Sequence, residues 1–441
     1  MKILVTFGHR IDRKERKKRD VAIHARLRDG QACEALPSLK QELMWFPNDP
    51  GLAYLLALAH SGMKDGVNEL RWLKHAAVMA PNNATRLTSL GQALRSKGEI
   101  EAAYDLFHRA LEQNPNYAQA RYNRALLELA SEHYERGWRD YESRFAIRSV
   151  PGVWRPFSSP IWDGKSELEG KLLIWAEQST SIQILFATVL RELSVKHGLI
   201  FECEPYLKSI FQRSFPDWEI IPQENPANPR LSDPDIAANI PLGRLCGIRR
   251  QSFYEFPKTM SYLFADPERS IDLMLEVGQP SRRTLGLSWR GAVGHSDFKL
   301  GQLETILKTE SVTWVSLEGP DADPEIEAFE KTSGIHIVHG LNLDLDHNVN
   351  DLCDLIAACE LVVTPDNQRA HLSGALGTAV WTLLPNTNGA RWYWFSRHNA
   401  NPRPFSCWYP SMRIVWQQNG EALSEFKNRT AAHLRKALAA D

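Results

Sequence analysis

The sequence has little net charge, few cysteines and no long apolar run, and each shortage excludes a class of protein. A formal net charge of −1 and a sequence pI of about 6.9 provide no bulk attraction for nucleic acid or for an acidic membrane surface. The 6 cysteines form no C-x-x-C pair, which indicates reduced thiols. No apolar run is long enough to span a membrane, and the segment from Met1 to Phe7 is too short and too soon charged for a signal peptide. We therefore expect a cytoplasmic protein with no nucleic-acid partner and no membrane span.

A repeat with a 34-residue period occupies the N-terminal third. The dipeptides Pro47-Asn48, Pro81-Asn82 and Pro115-Asn116 set this period, which is typical of tetratricopeptide helix-turn-helix units. Residues 84–117 form the clearest unit, with Leu87, Leu90, Gly91 and Leu94 on its first helix and Ala103, Phe107 and Ala110 on its second. We predict a helical repeat array over residues 1–150, whose first unit is frayed because Pro37 falls inside a helix. The concave surface of such an array typically holds a protein or peptide segment.

The rest of the chain alternates strand and helix patterns, as in a parallel α/β sheet. A linker rich in proline and tryptophan is predicted over residues 151–165, followed by Rossmann-like domains over residues 166–280 and 281–441. Within the first domain, residues 222–250 are Pro-rich and weakly patterned, and we predict loops with a short helix there. The last third holds several tryptophans, which indicate either a Trp-rich core or an aromatic-lined cleft.

The pattern of residues 361–384 is strand, polar elbow, small-residue helix and strand. The elbow runs from Thr364 to Arg369, between two apolar runs. Parallel sheets bind ligands at the carboxyl ends of their strands, where this elbow lies. Backbone N–H groups at the start of the following helix can hold a phosphate. The elbow is therefore the candidate binding loop.

Six segments in this order resemble one bacterial family. They are residues 177–187 (EQSTSIQILFA), 202–205 with 213–216, 288–291 (SWRG), 315–317 (VSL), 371–377 (HLSGALG) and 408–411 (WYPS). Together they resemble the tetratricopeptide-repeat glycosyltransferases, over roughly residues 84–420. The catalytic part of that family is similar to the lipopolysaccharide heptosyltransferases and has the GT-B fold, two Rossmann-like domains facing a cleft.

The resemblance implies that a nucleotide-sugar, as substrate rather than cofactor, binds mainly to the C-terminal domain. The implied donor-binding residues are Arg290, Lys299, Asp366, Asn367, Arg369, His371 and Gly374. Cations and helix N-termini suit this role, because transfer leaves a diphosphate whose developing charge must be stabilised. No metal site is expected. Other interpretations stay open: Asp366 as a helix cap, His371 as a core histidine and Arg290 in a surface ion pair.

The loop after the first predicted strand of the α/β part, residues 177–183, departs from the family pattern, and we call it the first loop. Family glycines are replaced by Ser179 and Ser181, the family aspartate expected to be the general base is replaced by Ile182, and the neighbouring family acid is replaced by Gln183. An isoleucine cannot accept a proton, so Glu177, which follows the predicted strand, is the candidate substitute base.

Three functions fit these observations. The first is a metal-independent inverting glycosyltransferase that acts on a protein presented by the array, with flagellin or another surface protein as the acceptor that the resemblance implies. The second is a degenerate GT-B protein that works as a binding or scaffold module, which Ile182 favours. The third is an enzyme that builds lipopolysaccharide sugar. The repeats argue against the third, because a glycolipid acceptor does not need a peptide groove.

Overall fold

The chain folds into two compact units, one ending at Arg124 and one beginning at Ala125. The structure, a computed structural model, describes residues 13–147, 155, 157–194, 196–291, 298–385, 391–394, 404–418 and 420–440. The predicted domain boundaries at residues 150, 165 and 280 stay predictions.

The first unit is an array of paired helices. They are α1 (Arg13–Arg28), α2 (Ala32–Trp45), α3 (Pro50–Gly62), α4 (Gly66–Met79), α5 (Ala84–Ser96) and α6 (Ile100–Gln113), and α7 (Ala118–Ala130) continues into the second unit. Asp49 caps α3 and Asn83 caps α5, since each side chain accepts hydrogen bonds from N–H groups of the first turn. Phe107 is fully buried over Gly91, where a Cβ would lie 2.6 Å from the Phe107 ring. The predicted repeat is confirmed, except that α2 continues through Pro37.

The first sheet of the second unit has the order β3-β2-β1-β4, with all strands parallel. The strands are β1 (Lys171–Trp175), β2 (Leu199–Cys203), β3 (Glu219–Pro222) and β4 (Ile236–Pro241). The accompanying helices are α8 (Tyr134–Tyr141), α9 (Thr180–Phe186), α10 (Lys208–Ser214), α11 (Leu242–Arg249) and α12 (Pro267–Val277). The prediction of loops across residues 222–250 was wrong at β4. Asn239 is accommodated in this strand because its amide accepts from Trp175 Nε1 at 3.0 Å and donates to the Ser159 carbonyl at 2.7 Å.

The second sheet has the order β10-β9-β8-β5-β6-β7 and is also parallel throughout. Its strands are β5 (Arg283–Leu287), β6 (Val312–Ser316), β7 (Ile337–Val338), β8 (Leu361–Pro365), β9 (Ala379–Leu384) and β10 (Met412–Trp416). Its helices are α13 (Glu304–Leu307), α14 (Asp323–Ser333), α15 (Val349–Ala357), α16 (Gln368–Leu376) and α17 (Leu423–Ala440). The strands are almost wholly buried, as expected when helices cover both faces of a parallel sheet. A repeat array followed by two Rossmann-like sheets confirms the predicted fold class.

None of the helices in the described part of the chain is both long and apolar enough to cross a membrane.

Candidate functional site

The elbow between β8 and α16 lies at the carboxyl edge of the second sheet, as predicted. Asn367 caps α16, since its Oδ1 accepts from the Ala370 N–H at 3.1 Å. Its Nδ2 donates to Ser288 Oγ and to the Arg290 carbonyl, both at 2.8 Å. Asn367 therefore joins the elbow to the loop after β5 and brings two predicted donor segments together.

Asp366 does not cap the helix. Asp366 is 4% exposed, and its carboxylate accepts from Arg391 Nε at 3.1 Å and from the Tyr393 hydroxyl at 3.4 Å. Burial lowers the pKa of Arg391, but the neighbouring Tyr393 and Asp366 outweigh burial and leave that pKa above its ordinary value. Arg391 was not among the predicted residues, although it follows the carboxyl end of β9 and the same edge rule would have found it.

Two further arginines at this edge are already paired with carboxylates. Arg290 Nη1 donates to Asp321 Oδ2 at 2.5 Å, so the ion-pair interpretation of Arg290 describes what the structure shows. Arg369 Nε donates to the Leu317 carbonyl at 2.6 Å, and its Nη2 lies 3.2 Å from Glu318 Oε2. Arg290 is 36% exposed at its side chain and Arg369 is 16% exposed. A bound diphosphate would therefore share these cations with protein carboxylates.

Glu318 organises the edge and was also missed. It is 5% exposed, and its Oε1 accepts from Ser288 Oγ at 2.7 Å and from the backbone N–H groups of Trp289 and Arg290 at 3.1 and 3.2 Å. Its other oxygen faces Arg369. One carboxylate thus fixes the loop after β5 and one cation of α16, a role that sequence spacing does not reveal because its partners are far apart in the chain.

His371 and Gly374 lie in the core behind the elbow. His371 is fully buried, its Nδ1 lies 3.0 Å from the Tyr409 hydroxyl, and its ring stacks on Trp394 with centroids 5.0 Å apart. Burial, with a smaller contribution from Arg391, lowers the pKa of His371 to about 3. A Cβ on Gly374 would lie 2.4 Å from Tyr409 Cγ, so this glycine admits the tyrosine. The core-histidine interpretation describes this geometry, and donor contact by either residue stays a prediction.

Lys299 is separate from the cluster. Its side chain is exposed, and its backbone N–H donates to Gln302 Oε1 at 2.8 Å at the start of a short 3-10 helix. No hydrogen bond or ion pair connects Lys299 with the other candidates in the described ranges. Its role in donor binding stays a prediction.

Glu177, the candidate base, lies in a buried ion pair. Arg144 donates to it from Nε at 3.0 Å and from Nη2 at 2.7 Å, and the Gly243 N–H donates to Glu177 Oε1 at 3.0 Å. Both side chains are fully buried. Burial lowers the pKa of Arg144, but the Glu177 carboxylate outweighs it and leaves the pKa above its ordinary value. The base role of Glu177 stays a prediction that this geometry does not favour, because three donors already occupy the carboxylate.

The altered residues of the first loop have structural partners. Ile182 is 6% exposed within α9. Gln183 is fully buried, and its Oε1 accepts from the Glu204 N–H at 2.9 Å. Both side chains are therefore packed in the interior, and neither is a group that exchanges protons with an acceptor.

Aromatic side chains fill the space where α9 approaches the second sheet. Phe186 packs against Trp392 and Trp408 with ring centroids 6.3 Å apart in each case, and Trp138 lies 5.6 Å from Trp392. Trp392, Trp394 and Trp408 are at most 8% exposed. The Trp-rich segment is thus a core at these positions.

No protein-family model matches the chain. The chain is similar to Protein FlbA of Caulobacter vibrioides, with 28% identity over 416 residues that cover 88% of this chain and 67% of the relative.

Similar solved structures include glycosyltransferases. A mutant of the Thermobaculum terrenum O-GlcNAc transferase covers 96% of this chain and 92% of its own, at 14% identity and a TM-score of 0.36. The E. coli ADP-heptose lipopolysaccharide heptosyltransferase II covers 61% of this chain and 98% of its own, at 13% identity and a TM-score of 0.42. A family 9 glycosyl transferase from Veillonella parvula covers 62% and 98%, at 10% identity and a TM-score of 0.44. At these scores the likeness carries no argument, and the fold assignment rests on the helices and sheets described above.

Proposed function

We propose that the protein is a glycosyltransferase that moves a sugar from a nucleotide-sugar donor to a protein acceptor. The observation that carries this proposal is the edge of the second sheet. There Asn367 joins the loop of Arg290 to the start of α16, the helix that carries Arg369, while Arg391 pairs with Asp366 beside them.

The chemistry of sugar transfer explains why such an edge suits a donor. A departing diphosphate gains negative charge, which guanidinium groups and the N–H groups of a helix start can stabilise. Arg290 and Arg391 are each about a third exposed at their side chains, so a ligand can reach them. Because arginines supply the compensating charge, the proposed mechanism is independent of a metal ion. Inversion at the sugar would then require a general base on the acceptor side, for which Glu177 is the sequence-based candidate.

The repeat array is the proposed acceptor platform. Polar groups lie on the first helices of successive hairpins: the hydroxyls of Tyr54 on α3 and Ser89 on α5 hydrogen-bond at 3.0 Å. Such surfaces suit an extended protein segment. Flagellin or another surface protein is the acceptor class to test first.

The direct test is sugar transfer. The purified protein is incubated with flagellin from the same source and with each of a set of nucleotide-sugars, and the intact mass of the flagellin is measured. One donor is expected to add the mass of its sugar, and the Asp366→Ala variant is expected to lose this addition. An unchanged acceptor mass with every donor and every surface protein tried would overturn the proposal.

A binding or scaffold module is the second candidate. Ile182 is buried, Glu177 is held by three donors, and the arginines at the edge are paired with carboxylates. Nucleotide binding without transfer to any acceptor would favour this function over catalysis.

A further inference from the structure

The segment that follows α7 contacts the first loop directly. Arg144 lies in the 3-10 helix Glu142–Ala146, which continues from α8. Its guanidinium group lies 4.5 Å from the Tyr141 ring centroid and 4.1 Å from the Phe145 ring centroid. These rings and the bidentate pairing fix the plane in which Arg144 holds Glu177. The start of the first loop therefore depends on a residue that the repeat pattern assigns to the array.

Tyr141 holds the next residue of the loop. Its hydroxyl accepts from Gln178 Nε2 at 2.7 Å. Gln178 has a φ of 66°, in the left-handed region that residues other than glycine adopt at a cost. The Gln178 carbonyl also accepts from Gln183 Nε2 at 3.3 Å. An unfavourable backbone conformation is thus held in place by side-chain contacts from α8 and α9.

The same helix also reaches the donor side of the second unit. Trp138 and Tyr141 pack on Trp392, with ring centroids 5.6 and 5.9 Å apart. Trp392 directly follows Arg391, which pairs with Asp366 in the elbow after β8. One face of α8 therefore contacts both the first loop and the segment that carries a donor-site cation.

We propose that Tyr141 and Arg144 are positioning residues, which hold the Glu177–Gln178 turn in the conformation that the transferase needs. On this proposal α8 works as part of the transferase, although its sequence pattern places it at the end of the repeat array. The catalytic consequence rests on the proposed function, whereas the positioning of the turn does not.

The test compares Arg144→Lys and Tyr141→Phe with a matched control, Arg250→Lys. Arg250 is also fully buried and bidentate to a glutamate of the same domain, at 2.9 and 2.5 Å from the two oxygens of Glu192. A lysine cannot reproduce bidentate pairing, so both lysine variants should lose thermal stability, Arg250→Lys less because Glu192 is 38% exposed whereas Glu177 is fully buried. Only Arg144→Lys and Tyr141→Phe should speed amide hydrogen exchange in residues 177–184, by about tenfold or more. Tyr141→Phe keeps the aromatic packing and should fold, so it tests the proposal even if Arg144→Lys does not fold.

Transfer kinetics provide the second readout. For the two positioning variants we expect kcat to fall about tenfold while KM for the donor changes less than about threefold, with Arg250→Lys close to the parent protein. Unchanged exchange in residues 177–184, or the same acceleration in Arg250→Lys, would overturn the proposal. If the parent protein transfers no sugar at all, the proposed function fails, but the exchange comparison still decides whether these residues position the turn.

Discussion

Replacing Glu177 by alanine should destabilise the second unit far more than replacing an exposed glutamate. The change leaves the guanidinium of Arg144 fully buried, with the Tyr141 carbonyl and Glu142 as its remaining hydrogen-bond partners in the described part of the chain, and it removes the partner of the Gly243 N–H. Breaking a buried ion pair from one side typically costs about 3–5 kcal/mol of unfolding free energy. Because Glu142 still compensates part of the charge, we expect about 3 kcal/mol.

The double variant Arg144→Met, Glu177→Leu should be more stable than Glu177→Ala alone. Apolar replacement of both partners removes the uncompensated charge and is often close to neutral. The unpaired Gly243 N–H remains and costs about 1–2 kcal/mol. The expected order of unfolding free energies is therefore parent, then double variant, then single variant.

Urea unfolding followed by tryptophan fluorescence measures this order. Only Trp45 and Trp72 precede residue 125, so the signal reports mainly on the second unit. Glu304→Ala is the control, because Glu304 forms an exposed pair with Lys308, at 42% and 58% side-chain exposure, and should cost less than about 1 kcal/mol. A cost below about 1 kcal/mol for Glu177→Ala would refute the reasoning. So would a double variant whose loss of unfolding free energy equals the sum of the losses in Arg144→Met and Glu177→Leu measured separately.

Three further predictions concern the elbow after β8. The pKa of His371 is about 3 in the folded chain and near 6.5 when unfolded, so lowering the pH from 7 to 5 protonates this residue only in the unfolded chain. The free energy of unfolding should therefore drop by about 2 kcal/mol over this range, and His371→Phe should lose most of this dependence in urea titrations. Gly374→Ala should lower the melting temperature, since the added methyl overlaps the Tyr409 ring and overpacking of about 1–3 kcal/mol exceeds the gain in helix propensity of about 1 kcal/mol. Asn367→Ala should cost about 1–3 kcal/mol through the lost cap and the lost hydrogen bonds to Ser288, Thr364 and the Arg290 carbonyl, measured by the same unfolding assay.

Each of these predictions has a clear opposing result. An equal pH dependence in His371→Phe and the parent would show that this histidine is not the group that titrates. A Gly374→Ala variant as stable as the parent would mean that Tyr409 moves aside at no cost. An Asn367→Ala variant within about 0.5 kcal/mol of the parent would show that the cap and the other hydrogen bonds of Asn367 contribute little.

The sequence predicted the features that arise from local pattern. The 34-residue period located the paired helices, and the apolar runs around residues 361–384 located β8, α16 and β9. Strand β4 escaped prediction because Asn239 and Pro241 interrupt its apolar run, and its place in the sheet depends on β1. Glu318 escaped because its importance comes from partners far apart in the sequence, which only the fold brings together. Arg391 could have been found from its place after the carboxyl end of β9, and the sequence analysis missed it.

Nucleotide binding tests the central claim, a donor site at the elbow between β8 and α16, most directly. The purified protein is titrated calorimetrically with nucleoside diphosphates and CMP, alongside Asp366→Ala and Arg290→Ala. Arg413→Ala is the matched control, because Arg413 lies near the amino end of β10, whereas the elbow lies at the carboxyl ends of the strands of the same sheet. We predict that one nucleotide binds, that both elbow variants weaken it by about tenfold or more, and that the control does not. A well-folded protein that binds no nucleotide, or binds one equally in all variants, would contradict the donor site.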